Sequence, residues 1–294
     1  MVNGILVRVD LRTEEQRILR KEDVIHNFEW NPNSISRFWD AVAAQPTLYN
    51  KSFSALAGAD IASFVSIIRP LKEASMLDYG CGRGFLIPHL FALGARVSAA
   101  EHSPSSVDIV NEMFKGSPLW DGAKLVGSHG LSWDTGVFDM TLAIEVVEHV
   151  TEADLSPMLN EMLRVLKPEG FGIFTTPHQE NLSDELVHCP NCSVEYHRWQ
   201  HLRSWSPQEL RDTLTEHGFD VVFCRGIDLA SFHEQPKGSW QELSIKEIKL
   251  NLRQRRGRIL DRLDQRPFPH GRAFNAFLNQ HDTPHLVAVA RKPC

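Results

Sequence analysis

The strongest constraint on the fold is a glycine-rich segment at residues 76–85, which reads MLDYGCGRGF. A short apolar run predicts a buried strand that ends at Asp78, and an apolar helix pattern opens at Phe85. Between them stand three glycines at alternate positions, Gly80, Gly82 and Gly84. Glycine permits positive φ and close approach of a ligand to the backbone, and a helix N-terminus offers free N–H groups. The segment therefore predicts a strand, a tight turn and a helix that together hold a ligand.

A carboxylate ends the next predicted strand. Residues 95–101 (ARVSAAE) are a short, mostly apolar run that finishes at Glu101. A carboxylate at the tip of the second strand of a parallel sheet is placed to accept both ribose hydroxyls of a nucleoside. Dinucleotide-binding proteins share this arrangement, but the anionic Asp78 would repel a pyrophosphate and favours a ligand that carries an ammonium group.

The D-x-G-x-G-x-G pattern resembles motif I of the class I S-adenosylmethionine (SAM) methyltransferases, whereas dinucleotide fingerprints read G-x-G-x-x-G. Residues 137–150 (VFDMTLAIEVVEHV) and 167–177 (KPEGFGIFTTP) resemble later motifs of the same superfamily. The resemblance implies an α/β fold with a Rossmann-like seven-stranded sheet, parallel except for an antiparallel last strand at residues 285–291. It also implies SAM as the cofactor and methyl transfer as the reaction.

The resemblance further implies which residues contact SAM. Many relatives carry an aspartate near the adenine amino group, where this chain has residues 127–130 (GSHG), so the adenine contacts are expected from Ser128, His129 or the backbone. The expected cofactor-binding residues are Asp78, Gly80, Gly82, Gly84, Glu101, His102, Ser128, His129 and Glu145.

The chain divides into a core and two additions. Apolar strands alternate with amphipathic helices in the middle of the chain, as is typical of a parallel sheet covered on both faces. We expect the SAM-binding core at residues 51–224 and 285–294, and a lead-in that forms a lid at residues 1–50. Residues 225–284 predict a helical insertion between strands six and seven, at the acceptor side or at the subunit contact of a homodimer.

A loop at residues 188–201 (HCPNCSVEYHRWQH) is rich in potential metal ligands. Cys-x2-Cys followed by His-x3-His is ligand spacing for tetrahedral zinc. The spacing predicts a structural zinc site; the plain alternative is two buried thiols beside a polar loop. The expected ligands are Cys189, Cys192, His197 and His201.

Candidate catalytic groups follow the fourth and fifth strands. If the segment after the fourth strand is helical, Glu145 and His149 share one face and Glu148 adjoins them. His149 could serve as general base for an acceptor hydroxyl, could bind a divalent metal with both glutamates and a later histidine, or could simply cap a helix. The metal arrangement resembles the small-RNA 3′-end 2′-O-methyltransferases. His178, directly after the fifth strand, is a second candidate base.

Composition limits the partners. The chain of 294 residues has a formal net charge of −6 and a pI of about 6.2, which gives no overall attraction to nucleic acid or membrane. No apolar run is long enough for a membrane span, the first residues do not form a signal peptide, and five cysteines without a disulfide pattern fit a reducing compartment. We therefore expect a cytoplasmic protein. Residues 246–266 form a local basic stretch.

Three functions are consistent with these patterns. The first is SAM-dependent methyl transfer to an oxygen, or in second place a nitrogen, of a small-molecule acceptor such as a sugar, glycan precursor, quinone or secondary metabolite. This follows from a resemblance to small-molecule methyltransferases that include the ubiquinone-pathway O-methyltransferases. The alternative is a metal-dependent RNA 2′-O-methyltransferase, favoured by the basic stretch and disfavoured by the acidic net charge. A non-catalytic SAM-binding scaffold is the third, and the complete glycine turn argues against it.

Overall fold

The computed structural model describes residues 29–127, 130–190, 193–229 and 284–294, and its centre is a seven-stranded sheet. The spatial order of the strands is β3-β2-β1-β4-β5-β9-β8. Their bounds are β1 Ser75–Tyr79, β2 Arg96–Glu101, β3 Trp120–Leu125, β4 Phe138–Ile144, β5 Leu166–Pro177, β8 Asp220–Ile227 and β9 His285–Arg291.

The direction of the strands confirms the predicted fold class. β1 to β5 pair in parallel, and β9 runs antiparallel to both of its neighbours, β5 and β8. All seven residues of β4 are buried. This agrees with an uninterrupted apolar run in a strand that is covered on both faces. The predicted sixth strand, β8, continues to Ile227, beyond the expected boundary at residue 224.

Helices cover the sheet from both sides. They are α1 Pro32–Ala43, α2 Pro46–Tyr49, α3 Phe53–Ile68, α4 Ile87–Ala92, α5 Pro104–Phe114, α6 Glu152–Val165 and α7 Pro207–Glu216. α6 buries Leu155, Leu159 and Met162, in agreement with its apolar periodicity. α7 begins at a capping box formed by Ser206 and Glu209, a spacing that marks a helix start in the sequence. None of the described helices is both long and apolar enough to cross a membrane.

Two apolar clusters form the core. One contains Ile61 and Phe64 of α3 together with Met76 and Leu142 of the central strands. The other packs α6 and α7 against the opposite face around Phe174. Because helices cover both faces of the sheet, a ligand can approach it at its edges. The carboxyl ends of β1, β2 and β4 lie together at one of these edges.

The condition for Glu145 and His149 to share one face, a helix directly after β4, is not met. Residues 145–150 form a turn, in which the His149 backbone N–H donates to the Val146 carbonyl oxygen, and α6 begins only at Glu152. Glu145 has a positive φ of 52°, which is rare for a residue other than glycine. This left-handed residue ends β4 and prevents a continuous helix, so the i, i+4 relation between Glu145 and His149 is absent.

A small hairpin follows β5. Its strands are β6 Leu186–His188 and β7 Glu195–His197, and a short 3₁₀ helix at Leu182–Glu185 precedes it. In the hairpin, His197 pairs with Leu186, whereas Cys189 lies at the turn and donates its N–H to the Val194 carbonyl oxygen.

Several predicted features lie outside the described residues. They are the helical insertion from residue 230 to 283, the basic stretch within it, the first 28 residues of the lead-in, and the individual residues Ser128, His129 and Cys192.

Candidate active site

A cavity of about 750 Å³ opens at the carboxyl ends of β1, β2 and β4. The glycine turn after β1, the end of β2 and the turn after β4 form its walls, and side chains of α1, α2 and the start of α3 line the other side. This is the edge at which parallel α/β sheets bind their ligands. The described part of the predicted lead-in thus faces this cavity.

The three glycines of the turn have different roles. All have positive φ, and Gly80 and Gly82 line the cavity. Gly84 does not line it: a Cβ there would lie 2.9 Å from the Phe114 ring and 3.2 Å from Ile87, so this glycine lets the turn pack on neighbouring helices. The expected direct contact with SAM is therefore limited to the first two glycines.

Glu101 ends β2 at the cavity and is held by backbone N–H groups. Its Oε2 accepts from the Gly82 N–H at 2.8 Å, and its Oε1 accepts from the N–H groups of His102 at 2.6 Å and Ser103 at 3.2 Å. These bonds tie the carboxylate to the glycine turn and orient it at the tip of the strand. His102 also lines the cavity, and its Nε2 is hydrogen-bonded to the Tyr79 hydroxyl at 3.1 Å. Burial lowers the pKa of His102.

Asp78 lies behind the glycine turn rather than in the cavity wall. It is 3 % exposed, and its backbone pairs with Ala99 and Leu142 in the centre of the sheet. Burial, followed by the charge of Glu101, raises the pKa of Asp78 to about 7. Asp78 can therefore influence a cation in the cavity by its charge, through the turn, without lining the cavity.

Glu145 lines the cavity at the end of β4. Its Oε1 accepts a hydrogen bond from the Thr175 hydroxyl at 2.8 Å, and its backbone N–H donates to the Thr175 carbonyl oxygen at 3.0 Å. Burial raises the pKa of this carboxyl group. A buried carboxyl on a strained backbone is typical of functional sites rather than of structural ones.

His149 lines the cavity among aromatic rings, with 13 % of its side chain exposed. Its ring lies edge-on to Trp39 at 4.9 Å and to His201 at 4.8 Å between centroids. Burial and the neighbouring His201 lower the pKa of His149 to about 3. His149 is a neutral imidazole at ordinary pH.

The segment that carries His201 is fastened to the turn that carries His149. Gln200 donates from Nε2 to the His149 carbonyl oxygen at 2.8 Å and accepts at Oε1 from the Trp39 ring N–H at 2.9 Å. Leu202 donates its backbone N–H to the Glu148 carbonyl oxygen at 2.8 Å. Gln200 belongs to no recognisable sequence motif, and the residue pattern gives no indication of its positive φ of 63°.

The predicted zinc ligands are not brought together in the part of the chain that the structure describes. His197 and His201 stack at 4.4 Å with an interplanar angle of 20°, and both face Glu180, which the sequence analysis missed. Cys189 lies at the opposite end of the hairpin from His197, three residues along β6, or roughly 10 Å. Cys189 belongs to neither group of described side chains whose ligand atoms lie close enough together to share one ion. The histidines form a cluster with carboxylates instead.

His178 does not belong to the described lining of the cavity. It follows β5, forms a bridge with Trp205, and donates its backbone N–H to the Pro284 carbonyl oxygen. The proposed role of His178 as a base therefore remains a prediction from the sequence alone.

Comparisons with known proteins agree with this architecture. Residues 77–174 match the model of a methyltransferase domain family. A ubiquinone biosynthesis O-methyltransferase of Rhizobium leguminosarum bv. trifolii is 26% identical over 200 residues, which cover 66% of this chain and 76% of that protein.

Solved structures share the fold at low identity. A Haloferax volcanii complex of the Trm112 methyltransferase activator with a methyltransferase matches with a TM-score of 0.56 at 18% identity and covers 87% of this chain and 98% of that one. The 1,6-didemethyltoxoflavin-N1-methyltransferase of Burkholderia thailandensis, with bound S-adenosylhomocysteine, matches with a TM-score of 0.54 at 14% identity, covering 92% and 94%. These structures agree in fold, and the methyltransferase-domain match and the O-methyltransferase relative, together with the glycine turn, Glu101 and the sheet order, identify the chain as a class I SAM-dependent methyltransferase.

Proposed function

We propose that this methyltransferase transfers the methyl group of SAM to a hydroxyl oxygen of a small-molecule acceptor. The observation that carries the proposal is one continuous cavity of about 750 Å³, whose lining includes both the glycine turn with Glu101 and the pair His149 and His201. One continuous space can hold the donor and the acceptor side by side, as a direct transfer between them requires.

The donor end fits the two halves of SAM. The Glu101 carboxylate is held in place by three N–H groups and can accept both ribose hydroxyls. The bare backbone of Gly80 and Gly82 leaves room for the methionine chain against the turn. The buried Asp78 behind the turn supplies a negative charge that attracts the methionine ammonium group.

The reaction needs few protein groups. An acceptor oxygen forms a bond to the methyl carbon while the carbon–sulfur bond breaks, and the electron pair stays on sulfur to give neutral S-adenosylhomocysteine. The hydroxyl proton is released. Because the sulfonium is already a good leaving group, alignment of donor and acceptor can supply roughly 7–11 kcal/mol of the barrier reduction.

The acceptor end combines apolar walls with a polar floor. Trp39, Val42 and Leu48, from the lead-in helices, supply the apolar walls. Such walls favour an acceptor with an aromatic or apolar body. The polar groups at this end are Glu145, His149 and His201, and the neutral His149 offers a nitrogen lone pair rather than an efficient base.

The relatives support oxygen as the acceptor atom. The Rhizobium protein is named an O-methyltransferase of ubiquinone biosynthesis, which fits an acceptor with a hydroxyl group on an apolar ring. The Burkholderia neighbour is an N1-methyltransferase, so nitrogen is the second option. Sugar, glycan, quinone and secondary-metabolite acceptors, a cytoplasmic location and a homodimer stay predictions from the sequence.

The test is product formation from a panel of hydroxylated acceptors. Purified protein is incubated with SAM and phenolic, sugar and nitrogen-containing compounds, and S-adenosylhomocysteine and methylated products are measured by mass spectrometry. We expect turnover with phenols or quinols. A short RNA with a free 3′ end is included, and methylation of that RNA alone would refute the small-molecule proposal. SAM binding without methylation of any acceptor would favour a scaffold.

A further inference from the structure

The segment after β3 contributes no carboxylate to the described lining of the cavity. Many relatives carry an aspartate there for the adenine amino group, and this chain has residues 127–130 (GSHG) instead. The base is joined to the ribose, so it must occupy the cavity next to Glu101 and beside this segment. Val126 and Leu131 line the cavity at that place, together with bare glycine backbone. The acceptor for the amino group must therefore come from another element or from the backbone.

The first turns of α6 form a further wall of the cavity. Asp154, Met158 and Glu161 all line it, because residues at i, i+4 and i+7 share one face of a helix. The Leu131 backbone N–H donates to the Glu161 Oε2 at 2.8 Å, which fastens α6 to the segment after β3. A base that fills the cavity beside Leu131 would thus also meet this face of α6.

Two polar side chains in this part of the cavity already have partners. The Arg164 guanidinium binds both carboxylate oxygens of Glu161, with its Nε at 2.6 Å from Oε1 and its Nη2 at 2.8 Å from Oε2. The His102 Nε2 is hydrogen-bonded to the Tyr79 hydroxyl at 3.1 Å. Neither side chain needs a ligand to complete its hydrogen bonds.

Asp154 keeps a carboxylate oxygen available. Its Oδ2 accepts from the Thr151 hydroxyl at 2.5 Å, and no described lysine or arginine forms an ion pair with it. Burial is the largest influence on the pKa values of Tyr79 and His102, followed by the charge of Glu101. The charge of Asp154 adds to this and favours the protonated form of both groups. Its carboxylate therefore acts on the pair of side chains that adjoins Glu101.

We propose that Asp154 selects adenine by accepting a hydrogen bond from its amino group. The role of the missing aspartate thus passes from the segment after β3 to the first turn of α6. A carboxylate only accepts, so it matches an amino group and repels the carbonyl oxygen that hypoxanthine carries at the same position. The inference rests on the placement of the ribose at Glu101 in the proposed function and does not depend on the acceptor.

An alternative role for Asp154 is structural, because an acidic side chain in the first turn stabilises a helix through its dipole. Glu152 belongs to the same turn and can have that role alone. Its side chain is 92 % exposed, contacts Arg203 and does not belong to the described lining of the cavity. Glu152→Ala is therefore the matched control for Asp154→Ala.

The experiment uses the full chain and measures binding of S-adenosylhomocysteine and S-inosylhomocysteine by calorimetry. We expect the wild type to prefer the adenine compound by roughly 10–100-fold. In Asp154→Ala the affinity for the adenine compound should fall by a similar factor, so that the preference nearly disappears, whereas Glu152→Ala should keep it. Asp154→Asn should bind the inosine compound more tightly than the wild type does, because its amide can donate to the carbonyl oxygen.

Three results would overturn the proposal. A wild type that binds both compounds equally has no selection, and an unchanged preference in Asp154→Ala would assign it to the segment after β3. Equal loss of both affinities in that variant, with a lower thermal midpoint, would show a role in α6 stability only.

Glu101→Gln separates a failure of this inference from a failure of the proposed function. Weaker binding of both compounds with an intact preference would support the ribose placement. Unchanged affinity in Glu101→Gln would refute the donor end of the proposed function, and with it this placement of the adenine.

Discussion

The hydroxyl of Tyr49 covers the backbone of Gly82 so closely that a Cβ on residue 82 would lie 1.7 Å from the hydroxyl oxygen. Tyr49 ends α2 and is buried, and Arg83 in the glycine turn donates to the Ala43 carbonyl oxygen at 2.9 Å. The lead-in helices are thus docked on the turn that is expected to hold the methionine part of SAM. Any side chain at residue 82 must displace this contact.

Gly82→Val should abolish SAM binding in calorimetry, because the new side chain meets both Tyr49 and the space for the ligand. A positive φ of 53° adds strain of about 1–2 kcal/mol. Gly116→Ala is the control: φ is 90° there, but nothing lies within 4 Å of the added Cβ. The control should lose stability without losing SAM affinity. Unchanged SAM affinity in Gly82→Val would remove the cofactor assignment.

SAM should bind more tightly as the pH rises through about 7. Burial raises the pKa of Asp78 to about 7 in the free protein, so the carboxyl group is largely protonated below this pH and charged above it. The methionine ammonium group favours the charged form, and affinity should fall by up to about tenfold per pH unit below the pKa. Asp78→Asn should flatten the profile. An equally steep profile in that variant would assign the dependence to a group other than Asp78.

Glu148→Gln should leave the protein as stable as the wild type or make it more stable, because the amide replaces a buried carboxylate whose oxygens have no hydrogen bond of normal geometry among the described residues. Chemical denaturation of both proteins at neutral pH measures the difference. Strong destabilisation of the variant would indicate instead that Glu148 has a structural role.

Asp139→Asn should destabilise the sheet, by roughly 1–3 kcal/mol. The Asp139 carboxylate accepts from the Ser75 backbone N–H at 3.0 Å, the Ser75 hydroxyl at 2.8 Å and the Lys167 Nζ at 2.9 Å, which links β1, β4 and β5. Although burial opposes the charge, these hydrogen bonds hold the pKa of Asp139 below its ordinary value.

Because folding lowers the pKa of Asp139, the contribution of this carboxylate to the free energy of unfolding changes with pH in a definite direction. The stabilisation is complete above the pKa of the unfolded chain, near 3.8, and is lost as the pH falls through the folded value. Chemical denaturation at neutral pH and in acid measures both effects. The difference between wild type and Asp139→Asn should shrink in acid, and a constant difference would contradict the assignment.

The sequence alone determined the parts of the protein that local patterns encode. β1, the glycine turn and Glu101 belong to two neighbouring βα units. Their apolar runs and glycines predict the backbone conformation of the same few residues, without information from distant parts of the chain. The same is true of α6 and of the capping box at Ser206, whose periodicity and spacing are local. The number and directions of the strands followed from a family resemblance carried by these local motifs.

Only the tertiary structure decided the composition of the histidine cluster. The spacing of Cys189, Cys192, His197 and His201 suggested one zinc site, but the hairpin of β6 and β7 carries Cys189 to its turn and His197 to its base. His149 receives its partners from a loop far along the chain, through the hydrogen bonds of Gln200 and Leu202. Neither Glu180 nor Gln200 belongs to a recognisable pattern, because their positions depend on how that loop packs on the turn after β4. Contacts between distant segments are set by packing and hydrogen bonding in three dimensions, and residue spacing does not record them.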